Sequence, residues 1–158
     1  MMDFNSSASV SGQITALIDI GMQRLRGHVD GVIVGGPDGF RYPALWENKC
    51  LGAKSWRELE AKGLAVAKPI YAAQVALYQA HLQLHEHPAL FTAINADSMD
   101  IYVELVPFDG ALAQRMTDRA VKVVSATEAG ELLPRSFHEP THFECRMCAW
   151  QDRCWRTT

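Results

Sequence analysis

The run Gly35-Gly36-Pro37-Asp38-Gly39 limits this chain more than any other five residues. Three glycines around a proline and an aspartate cannot continue a helix or a central strand, so the chain must turn there. Apolar stretches flank the turn on both sides, Leu25 to Val34 before it and Tyr42 to Cys50 after it. Each reads as a strand, and the turn folds one back beside the other. Upstream, Gln13 to Ile20 mixes apolar and polar residues in a strand-like way and ends at Gly21. The opening is therefore expected to be an antiparallel meander.

The hydrophobic period then changes. Lys54 to Gly63 reads as a short helix, with Ser55 as N-cap and Glu58 closing a capping box. Lys68 to His85 is a longer helix with Pro69 in its first turn and an apolar face of Ala73, Leu77, Ala80 and Leu84. Ala89 to Ala96 and Met99 to Pro107 form a strand pair turning at Asp97-Ser98, and Gly110 to about Ala129 is a third helix. The order β-β-β-α-α-β-β-α points to an α+β fold with one central sheet. With 158 residues, a single domain is expected: a polar segment over 1–11, a core over 12–132 and a Cys-rich tail over 133–158.

The net charge of −3 excludes a generally basic protein that coats nucleic acid, because such coating neutralises phosphates. It leaves room for a local phosphate-binding groove. No apolar run reaches the ~18–20 residues of a membrane span, and the first eleven residues lack the basic start and apolar core of an export signal. The expected location is the cytoplasm, with no membrane partner. Three of the four cysteines (Cys145, Cys148, Cys154) crowd into the tail, which in a reducing compartment reads as a metal site. His142 adds an imidazole to those three thiolates, a set that favours tetrahedral Zn²⁺ over a [4Fe-4S] cluster. Trp150 and Trp155 bracket Cys154 and are expected to pack this knuckle against the core.

Two segments carry reactive chemistry: Gly27-His28-Val29-Asp30-Gly31 and Trp46-Glu47-Asn48-Lys49. Residues two apart share a strand face, so Glu47 and Lys49 point one way and Trp46, Asn48 and Cys50 the other. The preceding strand brings Asp30 alongside. Two carboxylates with water and substrate oxygens suit Mg²⁺ or Mn²⁺, which can polarise a phosphoryl oxygen, and a neighbouring lysine can orient the attacking water. The alternative is a surface ion pair between Glu47 and Lys49. His28 shares the Asp30 side of its strand, as a substrate contact or as a satisfied strand histidine.

On the long helix, Gln74, Tyr78, His81 and His85 fall within a narrow arc, with Tyr71 beside it. This stripe is either a solvated face or a set of donors for a phosphodiester backbone. His81 and His85 also have the i, i+4 spacing of a two-histidine metal pair.

The ordered set Gly27-x-x-Asp30, Glu47-x-Lys49 and Gln74-x-x-x-Tyr78, closed by Cys145-x₂-Cys148-x₅-Cys154, resembles the RecB-like branch of the PD-(D/E)XK nucleases. Within that branch it is similar to the phage and prophage exonucleases related to CRISPR-associated and AddB-type nucleases. The resemblance implies a restriction-endonuclease-like mixed sheet flanked by helices, with a C-terminal Cys-rich metal knuckle. It implies a Mg²⁺- or Mn²⁺-dependent deoxyribonuclease of the DNA recombination and processing kind. Asp30, Glu47 and the backbone carbonyl of Asn48 would hold the catalytic ion, Lys49 would act on the water, and Gln74 and Tyr78 would position DNA. Tyr71 and His28 are further candidate substrate contacts from their positions beside these residues alone. Cys145, Cys148 and Cys154 would hold the structural metal; the family's fourth cysteine is absent, and His142 is the local candidate in its place. A homo-oligomer or a recombination partner is compatible with it. The rival expectation is a catalytically silent DNA-binding or assembly module on the same fold.

Overall fold

The computed structural model describes residues 9–11, 14–20 and 23–156, with side chains described from position 27 onward. The expected strand start at Gln13, the break at Gly21 and residues 1–8 of the polar segment lie outside the described residues. The chain divides into two compact units, Met1–Lys122 and Val123–Thr158.

The first unit holds seven strands, β1 (Ser9–Ser11), β2 (Ile14–Ile20), β3 (Gln23–Val29), β4 (Gly31–Gly35), β5 (Ala44–Leu51), β6 (Ala89–Asn95) and β7 (Ile101–Val106). Three helices, α1 (Ala53–Lys62), α2 (Leu64–Ala67) and α3 (Pro69–His81), lie between β5 and β6. Helix α4 (Gly110–Ala129) starts in this unit and ends in the second, which adds α5 (Phe143–Arg146) and α6 (Gln151–Arg156). A five-stranded sheet runs in the order β1-β4-β5-β6-β7, with β5 and β6 parallel and the other pairs antiparallel. Strands β2 and β3 form a separate antiparallel pair. The result is an α+β fold with a mixed sheet, whose parallel step requires the helical crossover α1–α3.

Three sequence expectations change. The single strand over Leu25 to Val34 is two strands, broken at Asp30, so β3 pairs with β2 while β4 joins the main sheet. The simple meander is replaced by two sheets that meet at Asp30. Ser9–Ser11, expected to be part of a polar leader, pairs with β4 as an edge strand. Third, α1 begins after Gly52 without a side-chain cap, and Ser55 lies inside the helix. Glu58 is drawn away from any capping role by Lys62 (3.1 Å) and Lys68 (3.2 Å). Those two ammonium groups hold its carboxyl below the usual range.

Helix α3 is shorter than its periodicity suggests. It stops at His81, where Leu82 N–H returns to the Tyr78 carbonyl and Gln83 takes a left-handed φ of 57°. Its buried side chains are Ala72, Val75, Ala76, Tyr78 and Gln79, while the expected face of Ala73, Leu77, Ala80 and Leu84 is half-buried. Every residue from 71 to 82 is at least half covered, so the helix has no single apolar stripe to read.

The core lies between the sheet and this crossover. In β6 the alternation is strict: Ala89, Phe91, Ala93 and Asn95 are buried, and the intervening residues are half-buried. Phe91, Leu45, Leu59 and Leu64 are fully buried, each worth about 1.5–3 kcal/mol in water-excluded apolar surface. Trp56 packs among them and donates its indole N–H to the Ala93 carbonyl at 3.3 Å. Glu104 on β7 ties the sheet to α2 by accepting from Leu64 N–H at 2.8 Å and from the Tyr102 hydroxyl. Burial, together with that carboxylate, pushes the Tyr102 phenol up to about 12.

Candidate active site

Asp30 sits where two sheets part. Strand β4 pairs with β5 only from Gly31, opposite Trp46. Beyond that point the β4 side of β5 has no strand to bond, and the Asp30 carboxylate takes the vacant ladder position. Asn48 N–H donates to Asp30 Oδ2 at 2.7 Å, a charge-assisted bond that fixes the carboxylate against β5.

The period-two alternation of β5 places Glu47 and Lys49 on the core face, as expected. Asn48 faces the other way, where its Oδ1 accepts from the Thr92 hydroxyl (2.8 Å), which in turn accepts from Trp46 Nε1 (3.0 Å). Glu47 is 1% exposed. Its Oε1 accepts from Lys49 Nζ, whereas Oε2 is buried with no partner. The ion pair of the alternative reading forms, but its carboxylate is interior and not on the surface. Burial raises the Glu47 carboxyl above its ordinary value; the Lys49 bond and charge and the nearby Asp30 backbone N–H oppose this, while the Asp30 charge adds to it. A buried carboxylate oxygen left unpaired is costly, and retention of such a group is a mark of sites that bind something there.

Helix α3 closes the site from above. The Tyr71 ring stacks on Phe91 (6.5 Å between centroids, 27° between planes), and Phe91 stands in register beside Glu47. Lys49 Nζ lies 5.3 Å from the centre of the same Tyr71 ring. One turn further on, Gln74 Nε2 donates to the Tyr78 hydroxyl at 3.2 Å. Tyr78 is 7% exposed, so it is a core residue rather than part of a solvated stripe. It abuts Gly27: a Cβ at that glycine would lie 2.7 Å from Tyr78 Cε1 and from its hydroxyl. The strand leading to Asp30 and the helix carrying Gln74 therefore meet through a glycine with no room for a side chain.

Asp30, Glu47, Lys49 and Tyr71 thus gather around β5, while Gln74 and Tyr78 form a second pair that meets the strand leading to Asp30 at Gly27. His28 is exposed on β3 opposite Thr15, and the break at Asp30 removes the alternation that placed both on one side. The His81–His85 pair does not form as expected, because α3 ends at His81 and His85 packs against Phe108 with ring centres 5.6 Å apart.

Within the second unit, Cys145, Cys148 and Cys154 line one pocket of about 240 Å³ with Glu144, Phe137 and Trp155. Cys148 Sγ accepts from Trp150 N–H at 3.4 Å. His142 does not line that pocket. It caps α5 by accepting from Glu144 N–H at 3.4 Å, and its ring stacks on Phe137 at 3.8 Å. Trp150, expected to pack the tail, is 66% exposed. Among the described residues, no three His, Cys, Asp or Glu side chains gather as they would around an ion.

Two contributions were hidden in the sequence: the clearance Gly27 gives Tyr78, and the contact of Tyr71 with Lys49. The glycine flank of Asp30 was a visible signal for the first. Nothing in the spacing of Tyr71 signals the second.

No family model matches this chain, and no curated protein matches it. Among solved structures it is similar to one described as "Crystal structure of SSO0001", with a TM-score of 0.48 and 18% identity over 99% of this chain and 63% of that one. This chain therefore spans less than two thirds of that protein's length. Among the described residues, no helix is long and apolar enough to cross a membrane.

Proposed function

We propose that this chain is a divalent-metal-dependent DNA nuclease of the PD-(D/E)XK type, with Asp30, Glu47 and Lys49 as its reactive set. The observation that carries the reading is Glu47: an interior carboxylate with one oxygen unpartnered, next to a second carboxylate and a lysine. Hard divalent cations take oxygen ligands, and an orphaned carboxylate oxygen fits that preference. Asp30 and Glu47 would hold the ion, with the Asn48 backbone carbonyl as a further ligand. Bound there, Mg²⁺ or Mn²⁺ would supply polarisation of a phosphoryl oxygen and a water of lowered pKa.

The protein's own groups do the rest. The Asn48 N–H keeps Asp30 from swinging away from Glu47. Lys49 supplies positive charge beside the phosphate and orients the attacking water for in-line displacement. Gln74 and Tyr78 offer polar atoms to a strand lying along α3. The restriction-endonuclease-like core, a role in phage-type recombination, DNA as partner and a cytosolic setting belong to the same proposal. So does a structural metal on Cys145, Cys148 and Cys154, Zn²⁺ in preference to an iron–sulfur cluster, with His142 as fourth ligand after a turn of its ring away from Phe137.

The test is degradation of end-labelled linear duplex and single-stranded DNA with Mg²⁺ or Mn²⁺, comparing the protein with Lys49→Ala. Cleavage that needs metal and disappears in the variant is expected. No cleavage by folded protein on either substrate would leave the silent DNA-binding module as the better reading.

A further inference from the structure

Lys49 has two partners in this structure, and only one of them survives if an ion takes Glu47. Its ammonium bonds to Glu47 Oε1 and stands 5.3 Å from the centre of the Tyr71 ring. The other oxygen of Glu47 is buried and unpaired. A divalent cation on the free Oε2 repels the ammonium on the neighbouring Oε1 and drives it off that oxygen. The Lys49 side chain is four fifths buried, so its ammonium needs another stabilising contact close by once it leaves Glu47.

From this we infer that Tyr71 is the positioning residue for Lys49: its ring face holds the ammonium at the site when a metal ion occupies Glu47. The inference rests on the nuclease reading and replaces the expected role of Tyr71 as a substrate contact. The ring is well placed for it. Tyr71 is itself pinned by stacking on Phe91, and Phe91 is fully buried in register with Glu47. The ring therefore cannot follow the substrate and can serve as a fixed platform. A cation over an aromatic face is attracted by the ring quadrupole, an effect that phenylalanine shares and leucine lacks. Without the ring, Lys49 either stays on Glu47 and opposes the ion or turns to solvent, leaving the water unoriented.

The test is a calorimetric Mn²⁺ titration without DNA on the wild type, Tyr71→Phe and Tyr71→Leu, each alone and combined with Lys49→Met. Tyr71→Leu is expected to weaken Mn²⁺ binding about two- to fivefold, the size of one such contact, while Tyr71→Phe keeps the wild-type affinity. In the Lys49→Met background, the Tyr71 substitutions are expected to have no effect on Mn²⁺. In cleavage, Tyr71→Leu should lower kcat with KM for DNA unchanged. Tyr71→Met carries the same comparison if the leucine variant does not fold. Equal Mn²⁺ affinity in wild type and Tyr71→Leu overturns the inference, as does a loss that persists without Lys49, which would mark a merely structural ring. A rise in KM with Tyr71→Phe would return Tyr71 to substrate contact. Absence of Mn²⁺ binding by the wild type overturns the nuclease reading and this inference together, and is told apart by that first titration.

Discussion

Gly27 offers a clean way to test whether the helix and the Asp30 strand meet as described. A Cβ at this position would stand 2.7 Å from Tyr78 Cε1, 2.7 Å from its hydroxyl and 3.0 Å from Cζ. Tyr78 is 7% exposed, so its ring cannot retreat into solvent without opening the core. Overpacking of this kind costs about 1–3 kcal/mol. Alanine also gains about 0.5–1 kcal/mol over glycine in a strand, because the unfolded chain has less freedom to lose. The net expectation for Gly27→Ala is a loss of up to about 2.5 kcal/mol, or up to about 10 °C in Tm for a chain of this length. The sign should reverse in a Tyr78→Leu background, since all three contacting atoms belong to the far half of the tyrosine ring. There alanine should stabilise by about 0.5–1 kcal/mol, giving a coupling of about 1–3 kcal/mol in a double-mutant cycle read by urea unfolding. The same loss in both backgrounds would refute the contact. So would a gain from Gly27→Ala in the otherwise unchanged protein.

Two other substitutions test the electrostatics. Glu47 has a folded pKa above its ordinary 4.5, so the folded state binds its proton more tightly than the unfolded chain. Stability contributed by that proton is complete at low pH and is lost as pH rises through the raised value. Glu47→Gln should therefore gain on the wild type as pH rises above the ordinary carboxylate range in metal-free buffer, and a pH-independent difference would contradict the assignment. At the sheet edge, Glu104→Ala removes the charged acceptor of Leu64 N–H and should cost about 2 kcal/mol, measured as a fall in Tm of about 4–8 °C. Ultraviolet titration of the same variant should show the Tyr102 phenol falling only part of the way from about 12, because burial, the larger cause, remains.

The sequence was most legible where periodicity and turn chemistry agreed. The glycine-proline turn, the strand carrying Glu47 and Lys49, and the pair β6–β7 all appear near their expected places. It was least legible where one residue acts over a distance. Asp30 divides the run from Leu25 to Val34 into strands of two different sheets, and the Asp30-Gly31 break within it does not by itself say that the two halves pair with different partners. The buried face of α3 was misjudged because a helix covered on every side has no polar face to mark its orientation. Asp30, Glu47, Lys49, Gln74 and Tyr78 were singled out from their chemistry and spacing, and the structure places Glu47 and Tyr78 in the interior. Tyr71 was noticed for its place on the helix, while its contact with Lys49 depends on the stacking against Phe91 that only the packed structure supplies.

A nuclease of this kind requires that Asp30 and Glu47 form a cation site. The most direct measurement is anomalous diffraction from crystals of the protein soaked in Mn²⁺. A single strong peak within about 2.0–2.6 Å of Glu47 Oε2 and of the Asp30 carboxylate is expected, the span of hard-cation bonds to oxygen. A peak elsewhere, or well-ordered carboxylates with no peak between them and Lys49 still bonded to Glu47, would contradict it.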